Sequence, residues 1–439
     1  MRILLDARPL QHAGPESERS RLIATAFRDL AAGAVFGLAE GATAGASGGV
    51  AGSGGASGGV AGEGSVGVAG GVAGEGSGEA AGGASGRATG RASGASDAAD
   101  EVEWIVVADQ RYRAGNFPRL PGTVIVRRAI PGKAGWSWWY DRTIPRLARR
   151  LQADLLVLTG GIAAAECGIR QCIWMPGRAE PAFQSPDTVH PLYRGRLAAS
   201  LARASAVFCF SEADRELLAG SAPASAGKIR VLRAFPGDGI RPLSGEEKTA
   251  VRSQRTGGKE FFFADLTGAG EEDLVYLLKA FSLFKKRQLS QMRLVLDGRI
   301  DDAPAARERL RSYKYKNDID WAAGAAAGRD ALAGAAYAAV FPFEGDHLGV
   351  PLVNAWKAGV PAIVTGGGIL EEMAGNPGGG MDRSDPAVLA AQLMRIYKEE
   401  QLREELIGRG FGRLGEFSRE RFVDAVRSGF TGAPGEAVQ

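Results

Sequence analysis

The second half of this 439-residue chain alternates short β-rich runs with helical ones, a pattern that few folds accommodate. EFFFADL, MRLVLDG, YAAVFPF and PAIVTG have strand length and strand composition. Between and after them lie EEDLVYLLKAFSLFKKRQ, APAARERLRSYKY, PLVNAWKAG and DPAVLAAQLMRIYKEEQLREELIGRG, whose apolar residues recur at helical spacing. Strands joined through helices of this length pair in parallel, and the sheet is then covered on both faces. Ligands of such sheets bind at the carboxyl ends of the strands, so the loops Leu266 to Gly270, Glu344 to Gly349 and Thr365 to Gly368 are expected to cluster.

The first half follows the same logic. MRILLDARPL reads as a buried strand, and ESERSRLIATAFRDLAAG as an amphipathic helix with Leu22, Ile23, Phe27 and Leu30 on one face. VEWIVVAD, GTVIVRRA, ADLLVLTG, QCIWM and SAVFCFSE are further strands, and Ser211 is placed to cap the helix that opens with Glu212. KIRVLRAFPGDGIRPL reads as Pro- and Gly-rich connecting chain, with the linker near Phe235 to Pro242. The expected division is a first α/β domain over 1–236, a second over 237–412 and a closing helix within 413–439 that returns to the first domain.

One segment breaks the pattern. Gly41 to Gly94 holds 22 glycines in 54 residues and repeats GGVAGEGS, so it lacks the apolar side chains to offset its own ordering entropy. It reads as a flexible, tolerated surface insertion at about 41–97. Lys and Arg total 53 against 50 Asp and Glu, a balance that argues against a nucleic-acid binder. Cys167, Cys172 and Cys209 fit neither a disulfide framework nor paired zinc spacing, and so suggest core residues in a reducing cytoplasm. No apolar run approaches the ~18 residues of a membrane span, and the N-terminus lacks a signal-peptide pattern. Peripheral contact at the inner face of a membrane stays open.

LLKAFSLFKKRQ, MRLVLDG, AAYAAVFPFEGDHLGVPLVNAWKAGVPAIVTGGGILEEMAG and a final EFSRERFVDAV keep an order and spacing that resembles the retaining nucleotide-sugar glycosyltransferases of family four, also called group 1. WSWWYDRTIPRLARRLQADLLVL and ASAVFCFSEADRELL extend the likeness to the first half. The resemblance implies the GT-B fold, two Rossmann-like doubly wound parallel-sheet domains facing an interdomain cleft. It also implies a nucleotide sugar as donor substrate, a glycan or lipid-linked acceptor, and no cofactor or metal.

The family's signature positions are substituted here. Relatives carry two glutamates around a G-F-G-x-P turn, one near the donor sugar and one on the ribose; alignment on Gly349 and Pro351 puts Asp346 and Asn354 there. An Arg-Lys pair that neutralises the donor diphosphate is replaced by Glu271 and Glu272, which suit a helix N-terminus and oppose an anion. A histidine that orients the donor sugar is replaced by Trp174, expected to line the cleft because it ends a strand on the ligand side. By the same resemblance Asp346 contacts the donor sugar, Asn354 the ribose, and Thr267, Gly349 and the amides of Gly366, Gly367 and Gly368 complete the donor site, although glycine-rich turns have a plain turn reading as well.

GWSWWYDRTIPRLARRL places aromatics ahead of Arg142, Arg146, Arg149 and Arg150. It suits an acceptor or an anionic membrane surface, or simply a core patch beside a solvated helix face. Two functions are therefore carried forward: a retaining glycosyltransferase, and a catalytically degenerate relative acting as a binding or scaffold partner in polysaccharide assembly.

Overall fold

The structure is a computed structural model that describes residues 1–13, 18–32, 102–112, 120–165, 167–176, 190–266, 269–298, 304–322, 328–342, 348–365, 368–375 and 385–432. Met1–Ala34 and Glu101–Gln439 form one compact unit; the glycine-rich insertion falls in Val35–Asp100, outside the described residues.

Seven parallel strands make the first sheet, in the order β3-β2-β1-β4-β5-β6-β7. They are β1 (Arg2–Asp6), β2 (Glu103–Asp109), β3 (Thr123–Arg127), β4 (Leu155–Leu158), β5 (Arg170–Trp174), β6 (Ala206–Cys209) and β7 (Ile229–Val231). The central strands are apolar on both faces, as a parallel sheet covered by helices requires, and Ile3, Leu5, Val106, Leu156 and Val157 are fully buried. The helices Glu18–Ala32 and Arg419–Thr431 pack together, and the second of them also lies against β6. Gly429 is where it comes closest, since a Cβ there would stand 2.4 Å from the Phe208 ring.

The second sheet has the order β10-β9-β8-β11-β12, again all parallel: β8 (Phe261–Asp265), β9 (Arg293–Asp297), β10 (Ile319–Trp321), β11 (Ala338–Phe341) and β12 (Ala362–Val364). The Glu271–Gln288 helix buries Leu274, Leu277, Phe281 and Phe284 against one face, and Leu389, Leu393 and Ile396 of the Pro386–Lys398 helix join the same core. Charge complements its dipole at both ends, with Glu271, Glu272 and Asp273 in the first turn and Lys285, Lys286 and Arg287 in the last.

Two strands escape the sequence reading. β7 and β10 have three residues each with a charged residue at the centre, and both are edge strands. KIRVL is thus strand before it is linker. The Gly245–Thr256 helix, opened by a capping box between Ser244 and Glu247, lies just beyond that segment, in chain to which the sequence assigned no element.

Candidate functional site

In each sheet the strand order reverses once, between β1 and β4 in the first and between β8 and β11 in the second, and such reversals open a crevice at the carboxyl ends. In the second sheet that crevice is a cavity of about 410 Å³, within the range of small-molecule sites. Phe263 and Asp265 of β8 and Phe341 of β11 form its floor. Arg329 and Asp330 open one wall, and Val350, Pro351 and Asn354 of the Val350–Lys357 helix another. Phe235, Gly237 and Asp238 of the connecting segment, with Arg21, Thr25 and Arg28 of the Glu18–Ala32 helix, complete it from the side of the first sheet.

Asn354 reaches the cavity because Gly349 turns the chain into its helix with φ 87°, a left-handed conformation. A Cβ at Gly349 would also meet the Met373 sulfur at 2.0 Å, so a larger residue would have to displace that side chain as well. The Asn354 Oδ1 accepts the Gly237 amide hydrogen at 2.9 Å. At the strand ends, Arg329 pairs with Asp297 of β9 through Nε and lies 4.0 Å from Asp265 of β8 through Nη1. One guanidinium thus spans two buried carboxylates. Burial pushes the Asp297 carboxyl up against the opposing pull of Arg329, and burial likewise raises Asp330.

Across the cleft, Glu372 accepts the Glu212 amide hydrogen at 2.9 Å and pairs with Arg233. Arg419 pairs with Asp29 and, at 2.8 Å, with Asp238. The first contact ties the halves across the cleft, and the second fastens the connecting segment to the helices of the first sheet.

The crevice of the first sheet holds its own side chains. The Arg8 guanidinium lies 3.8 Å from the Trp136 ring centroid and 4.9 Å from that of Trp139, with Asp109 at 3.4 Å. Asp6 Oδ1 accepts from Trp139 Nε1 at 3.0 Å, and burial pushes the Asp6 carboxyl up to about 6. In the sequence these residues have only the pattern of a buried strand, MRILLDARPL, and an aromatic patch, WSWWY.

The residues expected at the donor site divide sharply. Asn354 lines the cavity. Gly349 shapes its wall, and Gly368, at φ 75° and ψ −146°, caps the Ile369–Ala374 helix in a conformation that favours glycine. Thr267, Asp346, Gly366 and Gly367 lie outside the described residues. Trp174 does not line the cleft. It is fully buried, with its ring 5.0 Å from Phe208, 5.6 Å from Phe27 and 6.1 Å from Phe422, because helices from both ends of the chain cover β5. Glu271 and Glu272 are also away from the cavity, bordering a separate depression with Tyr276 and Lys279; Glu271 pairs with Arg309 at 3.3 Å. Arg142, Arg146, Arg149 and Arg150 are exposed on the helical stretch 139–150. Asp265, Arg329, Arg21 and Arg28 carry no local sequence signal of their place in the cavity.

Residues 254–413 match the family model Glycosyl transferases group 1. That match covers 160 of the chain's 439 residues, within its second half. No curated protein matches the sequence. Among solved structures, Anabaena HepE in complex with UDP and glucose is similar at TM-score 0.55 and 12% identity, covering 75% of this chain and 91% of HepE. WaaG, a glycosyltransferase involved in lipopolysaccharide biosynthesis, is similar at TM-score 0.53 and 12% identity, with 75% and 91% covered. A putative UDP-N-acetylglucosamine 2-epimerase from Listeria monocytogenes gives TM-score 0.51 and 12% identity, with 77% and 92% covered. The fold is GT-B, and at these identities it is the fold alone that is shared.

Proposed function

We propose that this chain binds a nucleotide sugar in the cavity between β8 and β11 and transfers the sugar, with retention, to a glycan or lipid-linked acceptor. The observation that carries this reading is the position of the cavity: it lies at the strand-order reversal of the sheet that the group 1 match covers and is closed by residues of both sheets. Phe235, Phe263 and Phe341 supply apolar surface, while Asn354, Asp265, Asp330 and Arg329 supply the fixed polar groups that orient a hydroxyl-rich ligand.

A second reading, a binding or scaffold partner in polysaccharide assembly without turnover, is favoured by Trp174. Standing where the family has its histidine, it is enclosed by aromatic rings and cannot meet a donor sugar. Calorimetric titration with UDP-glucose, followed by an assay for release of UDP, separates the two. Binding with release supports transfer, while binding without release, or no binding, removes transfer from UDP-glucose and supports the degenerate partner.

We further propose a peripheral membrane contact on the helical stretch 132–150. A π-turn at Trp139–Thr143 joins the helices Gly132–Trp138 and Ile144–Arg150. Its exposed positions include Lys133, Trp138, Arg142, Arg146, Arg149 and Arg150 with no acidic residue, and Asp141 on the flank is occupied by Arg196 at 2.6 Å. Trp138 is 52% exposed, an indole with one polar edge placed among cations. Among the described residues no helix is long and apolar enough to cross a membrane.

A further inference from the structure

A phosphorylated ligand needs a cation, and the helix after β8 does not supply one. Its first turn holds Glu271, Glu272 and Asp273, and Asp273 Oδ2 already accepts the Gly270 amide hydrogen at 2.9 Å. The cavity wall has three arginines instead. Arg329 is committed to Asp297 and Asp265. Arg21 stands in the field of Asp330 and lowers that carboxyl's pKa against the effect of burial. The wall's remaining carboxylate, Asp238, is held by Arg419.

Arg28 differs. It donates from Nη2 to the Thr25 hydroxyl at 3.0 Å, one turn back on the same helix, and no carboxylate pairs with it among the described residues. That bond holds the side chain toward the cavity while most of its five N–H donors stay uncommitted. Every other charge on the wall is answered by a neighbour of opposite sign.

We propose that Arg28 is the anion-holding residue of this cavity, so that the ligand's phosphoryl group is gripped from the Glu18–Ala32 helix of the first sheet and the rest of the ligand from the second. This rests on reading the cavity as a ligand site, and not on the identity of the nucleotide. A phosphoryl group held in this way bridges the two halves and favours the closed cleft. The phosphate belongs either to a nucleoside diphosphate or to a phosphorylated sugar, since the guanidinium recognises the same oxygens in both.

The test titrates wild type, Arg28→Gln and Arg28→Lys with UDP and with glucose 1-phosphate at low salt, with a melting curve for each variant. The expected result is at least about a tenfold weaker affinity of Arg28→Gln for a phosphate probe, which corresponds to about 1.4 kcal/mol, partial recovery in Arg28→Lys, and unchanged melting. Dependence on Arg28 for UDP identifies the donor as the source of the phosphate. Dependence for glucose 1-phosphate alone sustains the role of Arg28 while removing the nucleotide-sugar reading. Equal affinity of wild type and Arg28→Gln for both probes, or no binding of either probe by the wild type, overturns the proposal.

Discussion

The Asn354 side-chain oxygen and the Gly237 amide are joined at 2.9 Å, tying the helix that walls the cavity to the segment connecting the two sheets. This gives the neutral amide a purpose that a ribose contact alone would not. A carboxylate could accept the same hydrogen, but it would add a fourth negative charge to a wall that already has Asp238, Asp265 and Asp330. Asn354→Ala leaves the Gly237 amide without its acceptor and should cost about 1–2 kcal/mol. Urea denaturation measures it, and a variant as stable as wild type would remove the tie from the account.

Trp174 should behave as a packing residue. Trp174→Ala is expected to cost about 3–5 kcal/mol by emptying the space among Phe27, Phe208 and Phe422. Trp174→Phe should be far milder, because the indole Nε1 has no hydrogen-bond acceptor among the described residues to lose. If both variants keep wild-type stability and lose only ligand affinity, the residue belongs to the cleft after all.

Asp6 makes a pH prediction. Its folded carboxyl titrates at about 6 against an ordinary 3.8, chiefly through burial. The folded state therefore holds a proton that the unfolded chain has released, and the favourable contribution of the protonated group, complete below 3.8, is lost as pH rises through 6. Two pKa units correspond to about 3 kcal/mol. Asp6→Asn should thus gain stability relative to wild type between pH 4 and pH 7, as read by denaturant midpoints. A difference between the two proteins that does not change with pH would count against this assignment.

Vesicle sedimentation tests the cationic stripe. Wild type should pellet with vesicles of mixed phosphatidylglycerol and phosphatidylcholine more than with phosphatidylcholine alone, and less as salt increases. Arg142→Glu with Arg146→Glu should abolish the preference for the anionic vesicles, and Trp138→Ala should weaken binding to them several-fold. Equal binding of all variants would leave the stripe as solvated surface.

How much of this was legible beforehand follows from what each element depends on. FFFAD, RLVLD and AAVF announce buried parallel strands because burial on both faces demands continuous apolar runs, and Ser211 announces its helix through a cap that accepts the Asp214 amide hydrogen. β7 and β10 were not legible because IRV and IDW carry a charged residue at the centre, whereas the equally short β12 is the apolar run AIV. Trp174 looked like a cleft residue because its strand ends on the ligand side, and a helix from the far end of the chain reversed that.

The sequence by itself determined the two doubly wound parallel sheets, because periodicity and local spacing record which faces must be buried. Tertiary structure alone decided that Arg28, Gly237, Asp265, Arg329 and Asn354 surround one cavity while Glu271 and Glu272 stand outside it. Those residues belong to elements far apart in the chain. What brings them together is the crossover path of the strands and the approach of the Glu18–Ala32 helix to the carboxyl ends of β8 and β11, which no local pattern of residues encodes.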